Sequence, residues 1–318
     1  MALTDFIDQL KRIFATGDRY DAHKAAAPVL LAMAKDRSVL HEILKQNLGQ
    51  PDCLRRKRHH PIIGFTVEEN PVFTLMASCF PPLPDRSTDV SHQTIHHHGD
   101  LLLTSAAAFG SGYESILFKT GWQIDQASRL TRMDVDKRYT HHLHNVEFID
   151  AYVPHIVFFP PGLSITYALW SNRQKNTLDS LRKSKLLQQF KGPVIAVAKR
   201  LGLTRSLGIN AIEYFDFFVQ DAKVFALRER LFGYGGGTNE NFLQNVANIL
   251  QEVGFDDDAF LRQLKTRLHA SGEERAVFWL DRVLQKQNVS DAFEPSHLNI
   301  DKVNMRKQDV LAAFPNAN

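Results

Sequence analysis

A chain of 318 residues has room for one large domain or two ordinary ones, and its 44% hydrophobic and 23% charged residues give a globular composition instead of a disordered or collagen-like one. No run reaches the roughly 20 apolar residues of a membrane helix, and a net charge of +3 is too small to imply a nucleic-acid partner. Cys53 and Cys79 are too few for a disulfide framework and lack zinc-type pairing, and the N-terminal MALTDFIDQLKRIF lacks the apolar core of a secretory signal, so a cytoplasmic protein is expected.

The first 60 residues are predicted helical. Phe6, Ile7, Leu10, Ile13 and Phe14 share one helix face, with Thr4 as N-cap and Gly17 as stop. Ser38 opens a second stretch presenting Val39, Leu40, Ile43 and Leu44, ended by Gly49 and Pro51. After Pro61 the texture changes. Strand-like runs cover 71–80, 94–109, 112–122, 145–153 and 155–170, separated by PPLPD, GSG and PPG turns, which suggests a barrel or a two-sheet sandwich. From about Lys175 helical periodicity returns. Phe242, Val246, Ile249, Leu250 and Val253 form a stripe between a Thr238 cap and Gly254. Phe260, Leu261, Leu264 and Leu268 form another, and Val277, Phe278, Leu280, Val283 and Leu284 a third. The expected plan is α+β: an N-terminal helical region (1–60), a central β-barrel (61–172) and a C-terminal helical region (173–318).

Histidine is the unusual entry in the composition. Of 14 histidines, ten fall between His59 and His155. In the segment Ser91–Asp100, strand geometry would turn His92, Thr94, His96, His98 and Asp100 to one face and His97 to the other. Two imidazoles two residues apart on a strand can grip one ion, and imidazole suits iron, copper, nickel and zinc. The third ligand must come from elsewhere. His155, on a strand-like run, is preferred over His141, His142 and His144, which lie in the polar stretch RYTHHLHN and read as a solvated loop. An exposed polar edge strand is the competing reading of the cluster. However, the histidines directly precede Leu101-Leu102-Leu103, and burying several polar rings without a partner is costly.

His96 and His98, the glycine-punctuated β region and the turn Phe159-Pro160-Pro161-Gly162 together resemble the cupin superfamily over roughly residues 62–172. His155 precedes that turn instead of following it, and Leu101–Leu103 stand where the cupin glutamate is expected. The pattern is therefore closer to the three-histidine thiol dioxygenases. This resemblance implies a cupin-like double-stranded β-helix with helical flanks, and Fe(II) or another divalent transition metal held by His96, His98 and His155. His98-Gly99-Asp100 with His155 is also similar to the facial triad of 2-oxoglutarate-dependent oxygenases, in which Asp100 would replace His96. Against that scheme, the region just past His155 holds no arginine before Arg173.

The expected activity is that of a mononuclear non-haem iron oxygenase, with a small, amino-acid-like substrate and dioxygen as partners. The alternatives are a metal-dependent lyase, isomerase or hydrolase on the same barrel, or a metal-free ligand-binding or regulatory protein. Tyr113, Tyr152 or Tyr167 could bring a hydroxyl to the ion, and Arg173 could pair with a substrate carboxylate; Tyr167 and Arg173 are the catalytic candidates. Phe109, Phe118, Phe158 and Trp170 are candidates to line the cavity, and Asp100 or Glu114 to orient the histidines. The flanking helices offer a lid or a homo-oligomer surface.

Other motifs are weaker. Gly233–Gly237 lacks the lysine of a phosphate-binding loop and reads as an interhelical connection. Val197–Ser206 resembles a helix-turn-helix turn, but the segment after it, Asn210–Phe218, is acidic and aromatic, which is wrong for a recognition helix. The basic run Arg55–Arg58 reads as a solvated loop.

Overall fold

Three helices open the chain, each set by its cap and its apolar face. α1 (Leu3–Ala15) buries Leu3, Phe6, Ile7, Leu10 and Phe14 along one face. Asp18 opens α2 (Arg19–Lys35) by accepting the Tyr20 N–H. Asp36 opens α3 (Arg37–Gly49) by accepting from Ser38, so that boundary lies just before the predicted one. The structure, a computed structural model, describes residues 1–15, 17–55, 58–59, 62–81, 94–171, 197, 200, 216–227, 238–292 and 305–315. Among these, no helix is long and apolar enough to cross a membrane.

Among the described residues, fourteen strands follow: β1 (Arg58–His59), β2 (Ile63–Glu69), β3 (Phe73–Phe80), β4 (Ile95–His96), β5 (Leu102–Gly110), β6 (Tyr113–Phe118), β7 (Gln123–Ile124), β8 (Leu130–Arg132), β9 (Val135–His141), β10 (Val146–Ile149), β11 (His155–Val157), β12 (Ser164–Ser171), β13 (Asp216–Gln220) and β14 (Lys223–Leu227). They form two antiparallel sheets, ordered β1-β2-β3-β12-β5-β10 and β7-β8-β14-β13-β4-β11-β6-β9. At the centre, β3-β12-β5-β10 faces β4-β11-β6-β9. Most successive strands of this set pass from one sheet to the other, and only β6 and β9 are both consecutive and neighbours. This is the two-sheet jelly-roll arrangement, the double-stranded β-helix.

The run expected as one strand over 94–109 is two strands. The chain leaves β4 after His96 and turns at Gly99, whose φ of 67° is open to glycine at no cost. It then re-enters the other sheet as β5. At the β5–β6 corner Gly110 has φ 87°, and a Cβ there would stand 1.8 Å from the Leu163 carbonyl oxygen, so only glycine fits.

After residue 237 come α4 (Asn239–Glu252), α5 (Asp258–Ala270), α6 (Glu274–Leu284), a 3-10 turn at Val289–Ala292 and α7 (Lys307–Ala313). The predicted Thr238 cap is present as a capping box with Asn241. Helices α1–α6 cover the outer face of the first sheet in one continuous core that includes Phe73, Leu75, Ile165, Tyr167 and Leu169. The Arg267 guanidinium of α5 donates to the Leu48 and Gly49 carbonyls, closing the end of α3. α7 covers the outer face of the second sheet, with Phe314 against Phe118 at 4.7 Å.

The hairpin β13–β14 departs from the sequence reading. Asp216–Phe218, expected on a helix, is strand, and its first two residues pair with β4. Most of the glycine-rich loop and of the helix-turn-helix-like segment lies outside the described residues, as does Arg173.

Candidate metal centre

His96 ends β4 and His155 begins β11, and the two face each other directly in the ladder. Residues opposite each other in an antiparallel pair project from the same face. Their rings stand 4.4 Å apart between centroids. His98, just past the end of β4, adds a third ring, its centroid 4.6 Å from that of His155 and 5.4 Å from that of His96. One ligand nitrogen from each of the three can be chosen so that all lie within 4.8 Å of one another. His96 and His155 are buried and His98 is half-buried.

Two of the rings are also braced by neighbouring groups. The Nδ1 of His155 lies 3.1 Å from the Val153 carbonyl oxygen. A carbonyl only accepts, so Nδ1 carries the proton and Nε2 is left as the donor to an ion. Trp170 stands edge-on to His98 at 6.2 Å. Three imidazoles that each bring a ring nitrogen to within 4.8 Å of the others are a donor set that fits a divalent transition ion.

His97 lies outside the set, as the pleat predicts. It is fully buried, its Nδ1 accepts the Gly99 N–H at 3.0 Å, and it stacks on Trp122 at 5.6 Å. Asp100 is also outside the set; its carbonyl accepts from Arg19 at 2.5 Å. The geometry therefore assembles the His96, His98, His155 combination and not the one through Asp100.

The histidines line a cavity of about 70 Å³ between the sheets, sized for a small ligand group and a few waters. Hydroxyls of Ser78, Ser105, Tyr113, Ser115, Tyr139 and Thr166 line it, with Leu103, Trp170 and other apolar side chains between them. No carboxylate, lysine or arginine is among the described lining residues. Burial pushes the Tyr113 hydroxyl up to about 12 and raises that of Tyr139 as well, so both stay protonated. Tyr113 is fixed at 3.1 Å by Nδ1 of His141, which burial lowers to about 4 and keeps neutral.

Several expectations need correction. Tyr167 does not join the histidines. On β12, Thr166, Ala168 and Trp170 face the cavity, so Tyr167 points the other way, into the core under the helices. Phe118 and Phe158 lie on the outer face of the second sheet, and Phe109 packs against the helical core. Glu114 pairs with Arg138 and Lys307, both at 2.5 Å, instead of orienting a histidine. His141 is not in a solvated loop but fully buried at the end of β9. Of the tyrosines proposed near the ion, only Tyr113 lines the cavity; Tyr139 does so too and escapes the sequence reading, because it sits in the strand that resembles a loop.

No protein-family model and no curated protein sequence matches the chain. Solved structures with partial likeness include TT1209 from Thermus thermophilus, at 13% identity over 37% of this chain and 92% of that one, with a TM-score of 0.24. The Schizosaccharomyces pombe Cnp3 cupin domain is 8% identical over 40% of this chain and 73% of that one, with a TM-score of 0.25. KdgF from Halomonas sp. is 12% identical over 37% and 89%, with a TM-score of 0.24. The strand order itself defines the architecture: the chain carries a double-stranded β-helix, flanked by helices, with three histidines brought together inside it.

Proposed function

We propose that this chain is a metal-dependent enzyme in which His96, His98 and His155 hold one divalent transition ion. In the finer reading the ion is Fe(II) and the reaction is an oxygenation of a small, polar, amino-acid-like molecule. The convergence of three imidazoles in the wall of a cavity with no other ionisable acid or base than tyrosine among its described lining residues carries the proposal. An ion with three protein donors has coordination positions left for substrate and dioxygen side by side.

The chain's own groups have separable tasks. The Val153 carbonyl holds the His155 ring in one tautomer. Leu103, Ile149, Ala168 and Trp170 limit water in the cavity. The Tyr113 and Tyr139 hydroxyls, protonated at neutral pH, can donate hydrogen bonds to an oxygen or sulfur atom of the substrate. With no cation among the described lining residues, an anionic donor atom of the substrate has only the ion to balance it.

The phenol side chains that line the same cavity also favour a second reading. A metal-dependent lyase, isomerase or hydrolase would use them to hold or move a proton without consuming dioxygen. Elemental analysis and an oxygen electrode separate the cases. The oxygenase reading expects iron near one equivalent, lost in His98→Ala, and dioxygen uptake with a small thiol or amino-acid substrate. Bound metal and turnover without dioxygen uptake would transfer support to the second reading. A protein that binds no metal, and whose ligand binding ignores His98→Ala, would overturn both.

A further inference from the structure

One buried charge has no task yet in the proposed site. Among the described residues, Asp216 is the one fully buried side chain that carries a formal charge; the other buried polar groups are histidines, hydroxyls and amides. Placing a carboxylate in a low-dielectric interior costs several kcal/mol unless a cation or strong donors compensate. Its position is therefore informative.

The hairpin β13–β14 places Asp216 next to the histidines. β13 pairs with the side of β4 away from β11, with Asp216 opposite His96 and Phe217 opposite Ile95. His96 is in turn opposite His155 on β11. Asp216, His96 and His155 thus form a row across three adjacent strands and project from one face of the sheet. The alternate residues fix which face it is. Ile95, Phe217 and Val219 are in the outer core under α7, so Asp216 is turned to the interior with the rings. Its carboxylate is not in the set of ligand atoms within 4.8 Å of one another, so it is not a corner of the donor triangle.

We infer that Asp216 is the positioning residue for His96. Its carboxylate accepts the N–H of the His96 ring nitrogen that does not face the ion, fixing the tautomer and raising the basicity of the nitrogen that does. It also supplies negative charge beside a site in which three neutral imidazoles leave the full charge of a divalent ion uncompensated, and where the described cavity lining holds no acid. Val153 plays the corresponding part for His155 through a backbone carbonyl. This inference rests on the metal reading above and adds to it an anchoring residue from outside the eight-stranded barrel.

Cobalt(II) titration of the full-length protein tests it, read by visible absorption and by competition with a chelator. Asp216→Asn removes the charge and keeps the shape. It is expected to weaken cobalt binding about 10–100-fold and to shift the absorption bands while leaving one ion per chain. In a His96→Ala background the same substitution should have little further effect. Cobalt bound by Asp216→Asn as tightly as by the unaltered protein, with an unchanged spectrum, would overturn the assignment and leave the three-histidine site standing. Absence of cobalt binding by the unaltered protein would overturn the metal reading and this inference with it. If Asp216→Asn does not fold, the ¹⁵N shifts of the His96 ring in the unaltered, zinc-loaded protein decide. A slowly exchanging N–H on the nitrogen away from zinc supports the assignment, and rapid exchange there contradicts it.

Discussion

The histidines are legible as residues because the pleat sorts them. His96 and His98 stand two apart, and His97 between them must turn away. What the pattern cannot decide is His96 against Asp100, since both share a face with His98 on an ideal strand. The turn at Gly99 decides it, by ending β4 at His96 and carrying Asp100 out of the set. The misplacing of Tyr167 has a related cause. β12 is buried on both faces, so the alternation in SITYALWS, with Ser164 and Thr166 on one side and Ile165 and Leu169 on the other, separates two buried faces without showing which of them meets the histidines. Tyr113 gives a prediction at this scale. Tyr113→Phe removes the hydroxyl held by His141, and should destabilise the fold by about 1 kcal/mol without changing metal content. Denaturant unfolding and metal analysis of the same preparation check this. Loss of the metal would place Tyr113 among the ligands instead of on the cavity wall.

At the level of elements, the helices can be read from their apolar period and caps: α4 opens at its expected Thr238 cap, whereas α1 already begins at Leu3, so the expected cap Thr4 lies inside the helix. Two strands are not legible. β9 has exposed charged residues on its outward positions, so VDKRYTH resembles a loop and conceals the buried His141. β13 is short and its pairing with β4 is non-local, so nothing near Asp216 in sequence announces that it stands opposite His96. The docking of α2 on the barrel has its own signature. His23 is buried with its Nδ1 2.7 Å from the Thr104 hydroxyl and its Nε2 2.7 Å from the Ser171 hydroxyl. Burial, aided by Arg19, lowers it to about 4 from its ordinary 6.5. The unfolded chain therefore takes up this proton at a higher pH than the folded one. The stability tied to neutral His23 is complete above about pH 6.5 and falls as the pH drops towards 4, by about 3 kcal/mol at most. His141, lowered in the same way, adds to the slope. Denaturation midpoints measured across that window should fall less steeply for His23→Gln, which keeps hydrogen-bonding capacity but does not titrate. An unchanged slope would show that the ring does not stay neutral in the fold.

At the scale of the whole molecule, the helical, β-rich and helical succession is visible as a change in texture along the chain, and the two-sheet expectation agrees with the architecture. The strand order is not visible, because it depends on which segments meet across the barrel. Both outer faces of the barrel are covered, one by α1–α6 and the other by α7 with residues around Met305. The space between the sheets is thereby enclosed, and the three rings line it together with six hydroxyl-bearing side chains. The central claim is that these three side chains, and not a pair with Asp100, form one metal site. Anaerobic Fe(II) binding by the unaltered protein and by His96→Ala, His98→Ala, His155→Ala and Asp100→Ala tests this most directly. The account predicts about one ion per chain for the unaltered protein and for Asp100→Ala, and loss of tight binding in each histidine variant. Tight binding retained by His96→Ala and lost by Asp100→Ala would contradict it.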